Sequence, residues 1–539
     1  MSPLLTFDSL YNPYSSQRNT VFAQRGMVAS TQPLASQAGL RILQMGGSAV
    51  DAAVAAAAVL TVVEPTSNGI GSDAFALIWD KDSLFGLNSS GPAPKRLSIE
   101  AVRDLGYEAM PSYGWLPVTV PGAPAAWAEL NRRFGRLPLE DVLKPAIEYA
   151  SEGFPISPTV SEAWQRAASV YRRALQEDVF TPWFDVFTRK GQAPRPGEMW
   201  RSPQHADSLR RIAVTGAEDF YRGELAERIA SWARQNGGFL TEDDLASFWP
   251  TWVDPICRRY RGYDVWEIPP NGQGLVALMA LGILDGLSLQ KRDCVETAHY
   301  QIEALKHAFV DGKAYITDPQ DMPFDAQHLL SPAYASYRRA QITERASEPL
   351  PGRLPEGGTV YLAAADSEGQ MVSFIQSNYM GFGSGIVIPG TGISLQNRGH
   401  SFSLNPQDAN CLRGGKRTYH TIIPGFLTKA QCPIGPFGIM GGFMQPQAHL
   451  QVMCSTIDFG LNPQAALDAP RWQWLEGRRI TVEPGFSNPT AQALIRRGHE
   501  VEAAISSASF GRGQIIWRDS RGVLAGGTES RADGSIAAW

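Results

Sequence analysis

A mixed α/β fold is predicted from two apolar N-terminal helices, a strand that follows them and two hairpins in the last third of the chain. Pro33 to Gln44 have helical periodicity, and the glycines of Met45-Gly46-Gly47 suit a helix C-cap. Ser48 is the expected N-cap of a second helix, Ala49 to Thr61, whose surface is almost entirely alanine and valine. Such a surface suits close packing against a sheet.

The next elements extend this pattern. A turn at Asn68 to Ser72 leads into a predicted strand at Ala74–Trp79, so a β-rich core begins early. Residues 95 to 250 are richer in arginine, tryptophan and amphipathic patterns, which predicts a mostly helical cover. The most apolar segment, Val54 to Val63, is shorter than the ~20 residues that a membrane-spanning helix needs. We interpret it as a buried helix.

The last third of the chain has strands and turns typical of hairpins. One hairpin is predicted at Val360–Ala365 and Met371–Gln376, with its turn at Asp366–Gly369. A second is predicted near the C-terminus, at Gln514–Trp517 and Val523–Ala525. The hydrophobic strands of the first hairpin are consistent with a buried double sheet.

Composition excludes several classes of protein. Of 539 residues, 43% are hydrophobic and 19% are charged, which is ordinary for a globular chain with ample core-forming residues. The net charge is −5 and the basic residues are scattered, so neither nucleic acid nor a membrane surface is expected as a partner.

The N-terminal segment and the cysteines favour a cytoplasmic protein. The residues up to Gly26 lack a basic stretch followed by an apolar one, so no secretion signal is expected. The 5 cysteines are widely spaced, which fits reduced thiols better than a disulfide framework. No Cys-x-x-Cys pair is present to bind zinc, and we expect neither a cofactor nor a metal.

Gly357-Gly358-Thr359 is the strongest indication of catalysis. A threonine hydroxyl is a weak nucleophile at neutral pH, but an N-terminal threonine carries its own base, the free α-amine. That amine titrates at about 7.7–8.0 in model peptides, so roughly a fifth of it is free base at neutral pH. One interpretation is autocatalytic cleavage between Gly358 and Thr359. The other is a Gly-Gly turn before an ordinary strand, which is the commoner meaning of these residues alone.

The residues before this junction support cleavage. The stretch Asp325 to Glu356 carries Pro349, Pro351 and Pro355 beside arginine and serine, a loose and exposed composition. Cleavage would give a large fragment, residues 1–358, and a small fragment, residues 359–539. We expect the two to remain associated as one structural domain, because the predicted sheet uses strands from both. Further oligomerisation is left open.

A series of longer motifs runs along nearly the whole chain. They begin with Gly26–Asp80 and include PVTVPGAPAAWAEL around Pro121, IPPNGQGLVALMALGIL around Pro269 and QIEALKHAFVDGKAYITDP from Gln301. They continue through FGSGI, IDFGLNPQAALDAPRW and GGTESRADG. This series resembles the γ-glutamyltranspeptidase family. The resemblance implies an N-terminal-nucleophile hydrolase, a four-layer α/β/β/α sandwich of two cleaved fragments, and a small-molecule amide as substrate.

The resemblance also implies the catalytic residues Thr359, Ser377, Gly441 and Gly442. Thr359 matches the nucleophile, and Ser377 matches a second hydroxyl that orients it. Family members usually have threonine at the second position, and serine keeps the same donor and acceptor. Gly441-Gly442 match a pair whose backbone N–H groups form the oxyanion hole.

Three residues at the substrate-pocket positions differ from the family pattern. Tyr379, Arg398 and Ser401 lie where typical γ-glutamyl enzymes have an asparagine, a glutamine and an aspartate around the substrate α-amino group. The carboxylate that would pair with an ammonium is therefore absent from these positions. Arg398 would repel an ammonium and attract a carboxylate.

Three further residues are candidate ligands of a substrate carboxylate. His420 and Thr421 match the position of two serines that bind the α-carboxylate in the family. Arg96 lies within one residue of the family's carboxylate-binding arginine, and a solvated surface arginine is an equal alternative.

A predicted helix also carries His299, Glu303 and His307 at spacings that place them on one face. Such residues can hold a metal, but they more commonly form the wet face of an amphipathic helix, which is the interpretation we adopt.

Three functions follow from these observations. The first is hydrolysis or transfer of γ-glutamyl groups through an acyl-enzyme. The second is hydrolysis of amides that bear a carboxylate and no α-amine, as in oxamate amidohydrolases and glutaryl-type cephalosporin acylases. The third is a non-catalytic binding protein that never cleaves itself.

Overall fold

The computed structural model describes residues 18–348 and 358–539. Predictions about the N-terminal segment and the prolines before the junction therefore fall largely outside the described residues. In those ranges the strands are β1 Val21–Ala23, β2 Gly26–Ser30, β3 Asp73–Asp80, β4 Ser83–Ser89, β5 Phe154–Pro155, β6 Met199–Trp200, β7 Thr251–Val253, β8 Ile256–Tyr260, β9 Tyr263–Glu267, β10 Gly358–Asp366, β11 Met371–Tyr379, β12 Gly425–Lys429, β13 Cys432–Met440, β14 Trp472–Glu476, β15 Arg479–Val482, β16 Glu500–Ala503, β17 Arg512–Arg518, β18 Leu524–Thr528 and β19 Ser535–Ala538.

The helices of the same ranges are α1 Pro33–Gln44, α2 Ala49–Val63, α3 Ile99–Asp104, α4 Ala123–Phe134, α5 Leu139–Glu152, α6 Pro158–Ala174, α7 Thr181–Phe187, α8 Pro203–Thr215, α9 Glu218–Arg222, α10 Glu224–Gln235, α11 Glu242–Ala246, α12 Gly274–Leu284, α13 Val295–Tyr315, α14 Ala326–Leu329, α15 Pro332–Arg339, α16 Met444–Ile457, α17 Pro463–Asp468 and α18 Asn488–Arg496. A short 3-10 helix, Arg398–Ser401, matters for the site described below.

Two large antiparallel sheets form the centre of the described structure. Sheet I has the strand order β19-β2-β10-β11-β3-β4-β7, and sheet II has the order β1-β18-β17-β13-β12-β9-β8. Sheet I combines strands from both sides of the Gly358–Thr359 bond, since β10, β11 and β19 pair with strands of the N-terminal part. The two segments could not be separated without breaking this sheet.

Alternation along β10 shows how the layers are built. Tyr361 and Ala363 pack into a cluster that includes Phe426 and Ile516 of sheet II, so this face lies between the sheets. Leu362 packs instead into the cluster formed with the helices α1, α2 and α5. Both faces of the strand are therefore buried, which explains why it is hydrophobic throughout.

Helices cover the outer face of each sheet. α1, α2, α4 and α5 pack outside sheet I, and α12, α13, α16 and α17 pack outside sheet II. α2 fits closely because every residue from Ala49 to Val63 is buried and most are alanine or valine. The four-layer α/β/β/α sandwich implied by the resemblance is thus confirmed.

The predicted elements agree closely with the observed ones. α1 has the predicted bounds, and α2 begins with the predicted cap: Ser48 Oγ accepts from Asp51 N, and the Asp51 carboxylate accepts in return from Ser48 N. The predicted hairpins are β10–β11 and β17–β18. Between residues 95 and 250 the chain is mainly helical, as predicted.

Two further predictions concern membrane-spanning helices and disulfide bonds. No helix among the described residues combines the length and apolarity that crossing a membrane requires. All five cysteines lie in the described ranges and are free.

Candidate active site

Thr359 and Ser377 lie side by side on neighbouring strands of sheet I. Thr359 follows the first residue of β10 and is 1% exposed. Its hydroxyl donates a hydrogen bond to Ser377 Oγ over 3.1 Å. The strand register shifts between Gly358 and Val360, so a bulge occurs at Thr359 itself. The predicted nucleophile and its orienting hydroxyl are therefore in contact in the uncut chain.

Tyr379 holds Ser377 from the other side. Its backbone N–H donates to Ser377 Oγ over 2.8 Å, and its φ of 75° lies in the left-handed region that a bulky residue rarely occupies. Tyr379 is also the register partner of Gly358. This strained backbone thus lies beside the bond that the sequence predicts to be cleaved.

The glycine pair at the start of α16 comes from the facing sheet. Gly441 and Gly442 follow β13 with φ values of 138° and 59°, conformations that side chains disfavour. Gln273 Nε2 donates to the carbonyl of Gly442 over 2.9 Å, which fixes this turn. Gln445, in the first turn of α16, reaches within 3.5 Å of Thr359 Oγ1. The start of α16 therefore approaches the predicted nucleophile.

Arg398 is a buried cation beside these residues. It is 1% exposed, and its guanidinium carbon lies 4.3 Å from the centre of the Tyr379 ring. Nη1 donates to Thr421 Oγ1 over 2.7 Å. Among the described residues, Nε and Nη2 have no hydrogen-bond partner. Burial lowers the pKa of Arg398 to about 10, opposed by Asp73 and Tyr379, so it remains charged at neutral pH.

Asp73 is a member of the candidate site that the sequence analysis missed. It is fully buried at the start of β3, where it is the register partner of Ser377. Its Oδ2 lies 3.8 Å from Arg398 Nε, and its Oδ1 accepts from Gly91 N over 3.3 Å. Burial raises the pKa of this carboxyl to about 7, although the charge of Arg398 opposes the rise.

His420 completes this group through a hydrogen bond to Asp73. Its Nδ1 accepts from the Ile422 N–H over 3.4 Å, so Nε2 carries the proton and donates to Asp73 Oδ2 over 3.0 Å. Burial, and then the charge of Arg398, hold the pKa of His420 well below its usual range. The imidazole is therefore neutral, and its donor is already used by Asp73.

The remaining pocket candidates differ in their positions. Ser401 ends the 3-10 helix that begins at Arg398, and its hydroxyl, like that of Tyr379, has no hydrogen-bond partner among the described residues. Arg96 is exposed in a turn before α3, and no hydrogen bond or ion pair of the described residues joins it to the other candidates. The structure therefore brings together all the predicted site residues except Arg96.

The interpretation of these α13 residues as the solvent-exposed face of an amphipathic helix is wrong. His299 and Glu303 are fully buried and His307 is 6% exposed, because α13 packs against the helices that cover sheet II. His299, Glu303 and His499 bring ligand atoms within 4.8 Å of one another. Glu303, however, pairs with the buried Lys306 over 2.7 Å, and its other oxygen accepts hydrogen bonds from the N–H and the hydroxyl of Ser347. These residues form a buried polar network.

Some of the missed residues had a weak signal in the sequence. Asp73 is the one charged residue inside the apolar stretch that leads from Asn68 into β3, and a buried acid needs a partner. Gln445 and Gln273 had none, because their contacts join segments 86 and 169 residues apart.

Replacing Ser377 by alanine should slow both cleavage of the chain and turnover. The lost hydrogen bond would leave Thr359 Oγ poorly oriented, at a cost of about 2–4 kcal/mol by analogy with other preorganised donors. Ser373→Ala is the matched control: this buried hydroxyl lies on the same strand but contacts Tyr361. Cleavage followed on denaturing gels should slow only in Ser377→Ala; equal rates in the two variants would show that Ser377 is merely a strand residue.

The chain matches known proteins over most of its length. The family model described as gamma-glutamyltranspeptidase matches residues 35–539. A crystal structure of cephalosporin acylase from Bacillus halodurans is 61% identical, with a TM-score of 0.95 and coverage of 99% of both chains. The glutathione hydrolase-like YwrD proenzyme of Bacillus subtilis is 38% identical over 96% of this chain and 99% of its own length. The oxamate amidohydrolase proenzyme of Klebsiella pneumoniae is 36% identical over 95% and 98%, respectively.

Proposed function

The chain belongs to the γ-glutamyltranspeptidase family of amidohydrolases and acylases, and we propose that it hydrolyses small amides whose acyl group ends in a free carboxylate and carries no α-amine. The reaction uses Thr359 as an N-terminal nucleophile after cleavage at Gly358–Thr359. The observation that carries the proposal is the buried guanidinium of Arg398, which has unused donors beside the Thr359 and Ser377 pair.

The reaction begins when the freed α-amine of Thr359 takes the proton of its own hydroxyl. Oγ attacks the amide carbonyl, and the backbone N–H groups of Gly441 and Gly442 hold the oxygen that becomes negative. The C–N bond breaks, and the amine leaves with the proton. Water then attacks the acyl-enzyme and gives a proton to the α-amine; the bond to Thr359 Oγ breaks, Oγ takes that proton back, and the carboxylic acid is released. An acceptor amine in place of water would give transfer.

Charge decides which acyl group the pocket accepts. Both oxygens of Asp73 are engaged, one by His420 and Arg398 and the other by the Gly91 N–H. The charged group with unused donors is therefore Arg398, at Nη2 and Nε, whereas the unpartnered hydroxyls of Tyr379 and Ser401 are neutral. A planar guanidinium suits a carboxylate, and Thr421 Oγ1 already fixes its orientation. For a substrate ammonium these residues offer only the neutral hydroxyls of Tyr379 and Ser401, and no free carboxylate.

The names of the relatives support the same class of substrate. One is called an oxamate amidohydrolase and another a cephalosporin acylase. The name of a third, glutathione hydrolase-like, keeps γ-glutamyl hydrolysis as the second candidate. Because these relatives are named as enzymes, and because Thr359 contacts Ser377 as catalysis requires, a non-catalytic binding protein is disfavoured.

Matched anilides test the proposal directly. Glutaryl and γ-glutamyl p-nitroanilide differ only by the α-ammonium, which Arg398 should repel. We expect kcat/KM to be at least about tenfold higher for the glutaryl compound, which corresponds to about 1.4 kcal/mol. Butyryl p-nitroanilide, which lacks the carboxylate, is the control and should be a poor substrate. A clear preference for the γ-glutamyl compound would return the enzyme to the glutathione hydrolase class.

A further inference from the structure

Gln445 has a fixed orientation toward the nucleophile. Its side chain is fully buried in the first turn of α16. The backbone N–H of Ile423 donates to Gln445 Oε1 over 3.0 Å. Because an N–H group can only donate, this contact assigns the oxygen of the amide to Ile423 and its NH₂ group to the opposite side. That side faces Thr359 Oγ1, 3.5 Å from Nε2.

The hydroxyl of Thr359 leaves room for such a donor. Its proton is donated to Ser377 Oγ over 3.1 Å, so the lone pairs of Oγ1 remain available to accept. A contact of 3.5 Å is long for a hydrogen bond in the resting chain, and it would shorten if Oγ1 gained negative charge. The amide is thus held in advance where charge develops during the reaction.

From this geometry we propose that Gln445 is a catalytic residue that donates a hydrogen bond from Nε2 to the Thr359 oxygen at the steps in which this oxygen is negative. The inference rests on the proposed function only for the identity of the substrate. The role of Gln445 in the chemistry of Thr359 does not depend on which amide is hydrolysed.

The same oxygen becomes negative twice in each cycle. In acylation, Oγ loses its proton to the α-amine and then forms the C–O bond. In deacylation, the α-amine takes a proton from the attacking water, the C–O bond of the tetrahedral intermediate breaks, Oγ takes the electron pair as the leaving group, and the α-ammonium returns the proton to Oγ. In self-cleavage Thr359 Oγ attacks the Gly358 carbonyl, the Gly358–Thr359 C–N bond breaks, and the Oγ proton passes to the released amine. Water then hydrolyses the resulting ester with Oγ as the leaving atom, so charge develops on the same oxygen. Gln445 should therefore assist self-cleavage as well as turnover.

Gln445→Glu and Gln445→Met distinguish a hydrogen-bond donor from a side chain that only packs at this position. Both side chains are close in size to glutamine. Glutamate can still accept from Ile423 N–H, but as a carboxylate it has no proton to donate to Oγ1. Protonated glutamate regains a donor, whereas methionine never does. A preorganised donor of this kind is worth about 10²–10³ in kcat, and because the resting contact is long we expect a loss of at least about tenfold.

Gln447→Glu is the matched control on the same helix. Gln447 is also fully buried, but its Nε2 donates to the carbonyls of Phe443 and Trp474 and does not approach Thr359. It therefore reports the cost of a carboxylate in α16 alone. If Gln445→Glu does not fold, Gln445→Met carries the test without a new charge.

The experiment measures kcat and KM per cleaved enzyme between pH 5.5 and pH 8.5, and self-cleavage on denaturing gels. Gln445→Glu and Gln445→Met should lower kcat at least tenfold with little change in KM. The activity of Gln445→Glu relative to wild type should recover as the pH falls, and that of Gln445→Met should not. A kcat within threefold of wild type in Gln445→Met, or an equal loss in Gln447→Glu, would overturn the proposal.

Failure of the proposed function is distinguishable from failure of this inference. If the wild type prefers γ-glutamyl amides, the substrate assignment is wrong but the kcat comparison can be made with those amides. If the wild type hydrolyses neither anilide, the rate of self-cleavage still compares Gln445→Met with wild type, and equal rates would overturn the role of Gln445.

Discussion

Thr359→Ala should remain one uncut chain of 539 residues with no measurable amidase activity. Alanine has no hydroxyl to attack the Gly358 carbonyl, so the α-amine that would act as the base is never released. Loss of a catalytic nucleophile lowers kcat by at least about 10⁴-fold in comparable systems, and here the base is lost with it. The wild type should run as two separate fragments on denaturing gels, and N-terminal sequencing should show that the smaller one begins at Thr359.

Thr359→Ser is the matched control for this result. Serine keeps the hydroxyl that donates to Ser377 and lacks only a methyl group. It should cleave and turn over, although at altered rates. A wild-type enzyme that is active while uncut would contradict the mechanism, as would substantial turnover by Thr359→Ala. Because sheet I is built from both fragments, native gel filtration should keep them together.

The fold was predictable because its signals are local. The cap at Ser48, the small residues of α2 and the hairpin at β10–β11 each depend on neighbouring residues, and each appears where the sequence predicts it. The exception is α13, where buried His299 and Glu303 resemble the exposed face of a helix. Glu303 is buried with the partners Lys306 and Ser347, and His299 with the partners His499 and Thr343. The spacing along the helix carries no information on these partners.

The site was only half predictable. Thr359 and Ser377 lie on paired strands of one hairpin, so their contact follows from local register. Arg398 could be placed in the pocket by resemblance, but its partner could not. Asp73 meets His420 across 347 residues of sequence. The view that the pocket lacks a carboxylate is therefore corrected: Asp73 supplies one from a different strand, already paired with Arg398 and His420.

The contacts of Arg398 with Asp73 and Thr421 determine which of its nitrogens can bind a substrate. Asp73 faces Nε at 3.8 Å and Thr421 takes Nη1, which leaves Nη2 free to meet a substrate. Since burial raises the pKa of Asp73 to about 7, a substrate carboxylate competes with a side chain that loses its negative charge as the pH falls through this range. The net charge seen by the substrate is therefore positive, most strongly below pH 7.

Arg398→Gln should abolish the preference for glutaryl over γ-glutamyl anilide. Glutamine cannot offer a charged donor to the carboxylate, and breaking such a buried charge pair costs about 2–5 kcal/mol, or roughly 30-fold to several thousand-fold in kcat/KM for the glutaryl compound. The kcat/KM for the γ-glutamyl compound should fall less or should rise, because the repulsion of its ammonium disappears.

Arg398→Lys is the matched control, since it keeps the charge without the planar fork and should retain part of the preference for the glutaryl compound. Removal of Arg398 also leaves Asp73 without its cation, so gel analysis of cleavage and a thermal melt must show that each variant is folded and cut. An Arg398→Gln enzyme that is folded, cut and still tenfold selective for the glutaryl anilide would show that the carboxylate is recognised elsewhere.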